Sequence, residues 1–282
     1  MTLIKDKMEL IQATFQEAKE KATLTNNLEE LNKSLLNFPN EFISVAYEGA
    51  SMALAIKSIQ ETDSLTKWND FYQRFGIKHS SQIHVGLGWA FSELNLDLSL
   101  FDSEISPLLK YRVLDGYGYY EGIFKRRQSV RTQQTPQHFD PLSLRAYDQG
   151  LGRSLWYISQ GEVEKLARSS NLFSENRCHD LWRGIGIAVA YVGGTEISVL
   201  QQLVNESGQY LPSFKCGVSL LIQSRDKADT ISNDTNTIAD FLFGLSCDSI
   251  SERLKNIEEN TNSTSEQMYF DWVKNIEADL CS

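Results

Sequence analysis

Apolar residues recur along this chain at helical spacing, and short clusters of glycine, alanine and serine interrupt them at regular intervals. Ile197, Leu200, Leu203 and Val204 follow one polar bridge, Val192-Gly193-Gly194-Thr195-Glu196. Val163, Leu166 and Ala167 follow another, Ser159-Gln160-Gly161-Glu162. Steps of three and four place these side chains on one face of a helix. Thr195 and Ser159 suit caps at or near those helices, and Glu196 and Glu162 suit their positive ends.

The small-residue clusters form a series. His84-Val85-Gly86-Leu87-Gly88-Trp89-Ala90, Asp115-Gly116-Tyr117-Gly118, Asp148-Gln149-Gly150-Leu151-Gly152 and Trp182-Arg183-Gly184-Ile185-Gly186 share the Gly-x-Gly form. Tyr47-Glu48-Gly49-Ala50-Ser51 and Lys215-Cys216-Gly217-Val218-Ser219 are weaker copies at either end. The leading glycines, at 49, 86, 116, 150, 184 and 217, are separated by 37, 30, 34, 34 and 33 residues. A period near 34 residues is the size of a stacked αα-hairpin. Glycine inside a helix costs about 1 kcal/mol relative to alanine, so close approach of neighbouring backbones is the expected compensation. Nucleotide binding is the weaker reading, because no copy follows a strand or supplies a third glycine.

The predicted fold is therefore all-α: stacked αα-hairpin repeats, as an α-solenoid or a closed α/α superhelix. Residues 1–40 read as N-terminal capping helices, 41–226 as the repeat domain and 227–282 as a polar linker with C-terminal capping helices. The linker is expected over Asp226 to Thr237, and an irregular basic loop from Arg126 to Arg145, where Pro136 and Pro141 lie.

Composition narrows the function. A formal net charge of −10 disfavours nucleic acid, which requires a basic surface. The mixed-charge start of the chain does not resemble a signal peptide, and no apolar run is long enough to suggest a membrane span. Cys178, Cys216, Cys247 and Cys281 lack metal-ligand spacing, as do His79, His84, His138 and His179. A cytoplasmic protein with buried thiols and without metal or cofactor is the expectation.

The motifs at Asp115 to Gly118, Gly150 to Trp156, Asp180 to Gly186 and Ala190 to Gly194, with His84 to Ala90, resemble a bacterial family of unknown function. Its members are often labelled enediyne biosynthesis proteins and occur in natural-product gene clusters. The likeness spans about residues 40 to 226 and implies a role in secondary metabolism. It carries over no catalytic residue.

Polar groups just before the glycines are the candidates for chemistry. Asp115, Asp148 and Asp180, with His84 as partner, would serve as acid or base. Tyr47, Glu48, Trp89, Tyr117, Tyr120, Trp156, Trp182 and Tyr191 would line a hydrophobic substrate site, with Tyr119 and Tyr157 nearby. The competing structural reading pairs the aspartates with Arg112, Arg153, Arg177 or Arg183 and puts the aromatic rings and His84 in the core. Two functions remain in view. One is a metal-independent cyclase or isomerase acting on a hydrophobic small molecule. The other is a scaffold or binding protein that holds the metabolite, a partner protein or a second copy of the chain. An enzyme should show a deep apolar cavity with a carboxylate lacking a basic partner; a scaffold should show an open groove with every carboxylate paired.

Overall fold

A computed structural model describes residues 3–101, 105, 107–261 and 267–281. Met1 and Thr2, part of the N-terminal reading, lie outside them, as do 262–266 of the expected C-terminal caps. The fold is all-α, with no β-strand among the described residues. Its α-helices are α1 (Leu3–Leu24), α2 (Leu28–Leu35), α3 (Ile43–Thr62), α4 (Thr66–Phe71), α5 (Ser80–Leu94), α6 (Pro107–Phe124) and α7 (Pro141–Ile158). They continue with α8 (Val163–Ser170), α9 (Glu175–Val192), α10 (Ile197–Ser207), α11 (Leu211–Lys227), α12 (Asn233–Phe243), α13 (Cys247–Glu259) and α14 (Met268–Asp279).

The helices carrying the glycine motifs, α3, α5, α6, α7, α9 and α11, pack side by side in chain order. Residues i and i+2 of a helix point about 200° apart, and Gly-x-Gly uses that geometry. The first glycine meets the preceding helix and the second meets the following one. A Cβ on Gly86 would overlap the Glu48 carbonyl of α3, and one on Gly88 the Val113 carbonyl of α6. Gly116 and Gly118 lie against Val85 and Tyr147, Gly150 and Gly152 against Asp115 and Leu181, and Gly184 and Gly186 against Gln149 and Phe214. In the weaker end copies the second position is serine. Ser51 Oγ donates to the Ile83 carbonyl at 2.6 Å, a polar tie between α3 and α5.

The series bends back on itself. At the C-terminal end of α11, Ser224 Oγ donates to Gln82 Oε1 at 3.2 Å and Arg225 donates to the Glu41 carbonyl. Just beyond, the Asp229 carbonyl accepts from Asn40 at 2.9 Å. The last motif helix thus meets the start of α3 and α5. α1 packs along α3, burying Ile4, Met8, Ile11, Thr14, Ala18 and Ala22 at helical spacing. One face of this N-terminal helix is thus part of the core, and the other is exposed.

Several local expectations change. α4 and α8 pack back on α3 and α7, and α10 packs on α8 and α11, but the segments after α5 and α6 contain only the short turns Leu98–Phe101 and Arg127–Arg131 among their described residues. After α6 the sequence from Lys125 to Gln137 is polar and offers no apolar face to dock a second helix, whereas after α5 single side chains such as Leu98 and Ile105 are buried without a second helix. α7 begins at Pro141, inside the expected loop, because Asp140 caps it by accepting from the Leu142 and Ser143 amides at 2.8 and 2.9 Å. Thr195 and Ser159 are not the caps; those positions fall to Glu196 and Glu162. The Ser159 hydroxyl instead donates to the Trp156 carbonyl at the end of α7. The linker shrinks to residues 228–232, since α11 runs through Lys227 and Ser232 opens α12 with a capping box.

Asn40–Thr62 is long and apolar enough to cross a membrane, although no such run was expected; 83 % of its apolar window is buried within the protein. Burial of this kind is the behaviour of a core helix.

Candidate functional site

A half-enclosed cavity of about 810 Å³ lies between α1 and the inner faces of the motif helices. α1 supplies Met8, Ile11, Gln12 and Phe15; α3 supplies Val45, Glu48 and Met52. Trp89 and Glu93 come from α5, Tyr119, Tyr120 and Ile123 from α6, Tyr157 from α7 and Tyr191 from α9. Counted from the second small residue of each motif, the walls come from a common register. Met52, Trp89 and Tyr119 stand one place after it, and Glu93, Ile123, Tyr157 and Tyr191 five places after it. Those positions are one helical turn apart, so stacking through glycine brings them to one wall. Glu48 sits a turn earlier on the same stripe of α3.

Glu48 is 3 % exposed and has no hydrogen-bond or ion-pair partner among the described residues. Burial pushes its carboxyl up to about 7, with Arg153 pulling it back and Asp115 raising it further. Its proton is therefore exchangeable near neutral pH. Around it the phenols are held protonated: burial pushes Tyr157 up to about 12 and raises Tyr119 and Tyr191 well above the ordinary phenol value. The Tyr191 hydroxyl has no hydrogen-bond partner. That of Tyr157 adjoins Tyr119 without a hydrogen bond of normal geometry. Trp89 stands edge-on to Tyr119 and Tyr120 at 4.9 and 5.7 Å between centroids.

The three aspartates are placed differently. Asp115 occupies the Glu48 register on α6, but Arg153 Nη1 donates to it at 2.6 Å and Gln149 Nε2 donates to its other oxygen. Tyr269 of α14 donates in turn to Gln149 Oε1 at 2.8 Å, closing a buried network beneath the cavity. Asp148, one residue out of register and so turned by about 100°, accepts both hydrogen bonds of an Arg177 fork, the Nε one at 2.9 Å. Asp180 lies further down its helix and accepts from Arg145 and Arg183. None of the three lines the cavity.

His84 does not reach it either. Its Nδ1 is 2.8 Å from the Ser80 carbonyl, Trp68 and Tyr72 meet its ring edge-on, and burial lowers its pKa to about 4. Of the expected lining residues, Glu48, Trp89, Tyr120 and Tyr191 face the cavity. Tyr47 stacks on His79 and donates to Asn32; Tyr117 packs on Phe139 and Tyr147. Trp156 is fully buried, and Trp182 sits against Phe214. Sequence reasoning missed the whole α1 wall. Its signal was the Ile4, Met8, Ile11 spacing within an otherwise polar stretch.

Charged residues stand in the lining as well: Lys5 approaches Glu162 at 3.7 Å and Lys19 reaches Glu93 at 3.5 Å. Away from the cavity, Lys7 of α1 pairs with Glu41 and with Asp234 at 2.6 Å. Among the described residues no group of three or more His, Cys, Asp or Glu is arranged to hold a metal ion.

Fold and site together define an all-α protein with an aromatic cavity that has a buried, unpaired carboxyl, Glu48, in its wall. The chain belongs to a family described as a protein of unknown function (DUF1702), whose profile matches residues 2–280. No curated protein and no solved structure matches it.

Proposed function

We propose that this protein is a metal-independent isomerase or cyclase that moves a proton within a hydrophobic small molecule, with Glu48 as the acid–base group. One observation carries the reading: a buried carboxyl with a pKa of about 7 and no partner stands in an aromatic cavity large enough for a ligand of drug size. A carboxyl kept solely for structure is normally paired, as Asp115, Asp148 and Asp180 are.

Glu48 can take a proton from one carbon and return it to another, leaving the composition of the molecule unchanged. The rings of Trp89, Tyr119 and Tyr120 present π faces and edges to any charge that develops. The resemblance to enediyne-labelled proteins favours an intermediate of secondary metabolism as the substrate. A scaffold that merely holds a metabolite would have no use for an exchangeable proton at the bottom of its cavity.

The test uses lipophilic metabolites extracted from the source cells and incubated with purified protein in D2O. Wild type should convert a metabolite to an isomer, with deuterium at carbon to the extent that the Glu48 proton exchanges with solvent during turnover, Glu48→Gln should lose at least about a hundredfold in rate, and Asp148→Asn should retain turnover in its folded fraction. Equal conversion by Glu48→Gln, or wild-type binding without conversion, would overturn the assignment, and the latter would favour the binding protein.

A further inference from the structure

Two phenols in the cavity lack the partners that buried hydroxyls ordinarily have. The great majority of buried side-chain polar atoms are hydrogen-bonded, yet the hydroxyls of Tyr157 and Tyr191 are not. Both residues line the cavity together with Glu48. They arrive from successive motif helices, α7 and α9, at the same place in the repeat, five residues after the second glycine (Gly152 and Gly186). Tyr191 is 6 % exposed, and the Arg225 guanidinium lies 5.5 Å from the centre of its ring. A hydroxyl fixed this way is a donor waiting for an acceptor that the protein does not provide.

Resting on the proton-transfer reading above, we propose that Tyr157 and Tyr191 are the carbonyl-binding pair of the cavity, and that its substrate is an apolar ketone or enone. With the carbonyl oxygen held by the two phenols, Glu48 as carboxylate removes a proton from the carbon beside the carbonyl. The C–H electron pair becomes a carbon–carbon double bond, and the carbonyl π pair moves to oxygen. The oxyanion stays hydrogen-bonded to the phenols, which remain protonated. In an enone the charge extends along the conjugated system. Glu48, now the acid, returns its proton to the far carbon, the oxyanion collapses to the carbonyl and the double bond has shifted. Every atom and electron is accounted for within the substrate and one carboxyl, so no co-reactant is needed.

Binding of 2-naphthol and of naphthalene to the full-length protein separates these claims, because the two differ only in a hydroxyl that can occupy the carbonyl position. Wild type should bind 2-naphthol about tenfold more tightly than naphthalene, the worth of one good hydrogen bond. In the Tyr157→Phe/Tyr191→Phe variant that ratio should fall to about one with naphthalene binding unchanged, and each single Phe variant should fall between. Glu48→Gln should keep the ratio. Tyr191→Phe removes an unpartnered hydroxyl and Tyr157→Phe one that only adjoins Tyr119 without a hydrogen bond of normal geometry, so their melting temperatures should drop by no more than about a degree or two. Preference surviving in the double Phe variant, or vanishing in Glu48→Gln alone, would overturn the assignment of the phenols while leaving the hydrophobic cavity standing. Failure of either compound to bind wild type would overturn both this inference and the proposed function.

Discussion

Glu48 and the aspartates differ in what surrounds them, and that difference can be measured. The Glu48 carboxyl has a pKa of about 7 in the folded protein against an ordinary 4.5. Between those values the folded state holds a proton that the unfolded state has lost, so stability contributed by the protonated carboxyl is present below pH 4.5 and declines as pH rises through 7. The loss is about 3 kcal/mol. Glu48→Gln should therefore melt higher than wild type at pH 8 and close to it at pH 4.5. His79 and His84, both lowered to about 4 by burial, act in the opposite sense, destabilising the fold as pH falls from 6.5 to 4. They titrate alike in both proteins, so the difference between wild type and Glu48→Gln isolates the carboxyl. Asp115→Asn should behave in the reverse way: it leaves the buried Arg153 without its ion-pair partner and should cost about 3–5 kcal/mol, seen as a shifted denaturation midpoint.

Between helices, stability depends on where the glycines look. A Cβ at Gly150 would overlap the Asp115 carbonyl and stand 2.8 Å from the Tyr119 amide nitrogen, all of it backbone. Gly150→Ala should cost about 3 kcal/mol, the upper range for overpacking, with α6 and α7 driven apart. At Gly76 the first obstacle is the Cδ1 end of the Ile83 side chain, which can turn aside where backbone cannot, and Gly76→Ala should cost less than Gly150→Ala, about 1–2 kcal/mol. Urea denaturation of the two variants checks the contrast. The glycine series, its spacing and its packing role were legible in the sequence, because close helix approach leaves few residue types available. The helices after two of the motifs, α8 and α10, were legible as well; what was not legible is that a short turn stands in their place after α5 and α6, which leaves the glycine contacts undisturbed.

As a body, the protein bends its motif helices round until α11 returns to the start of α3 and α5, and α1 then covers the cavity. Nothing local in the sequence encodes that return; it rests on contacts such as Arg225 with the Glu41 carbonyl, 184 residues apart in the chain. The candidate site was half legible for the same reason. Trp89, Tyr120, Tyr191 and Glu48 could be found from the repeat, but which carboxylate stays unpaired depends on arginines reaching across from other helices. Ligand in the cavity should slow amide hydrogen exchange over residues 8–16 and leave α13 unchanged, as read by mass spectrometry.

Whether Glu48 is a buried carboxyl that exchanges its proton near neutral pH can be read by NMR titration of protein with ¹³C-labelled glutamate side chains. The resonance missing from Glu48→Gln should titrate with a midpoint of about 7. A midpoint near the ordinary 4.5 would mean that the carboxyl is paired or solvated, and would contradict the site, its chemistry and the proposed function together.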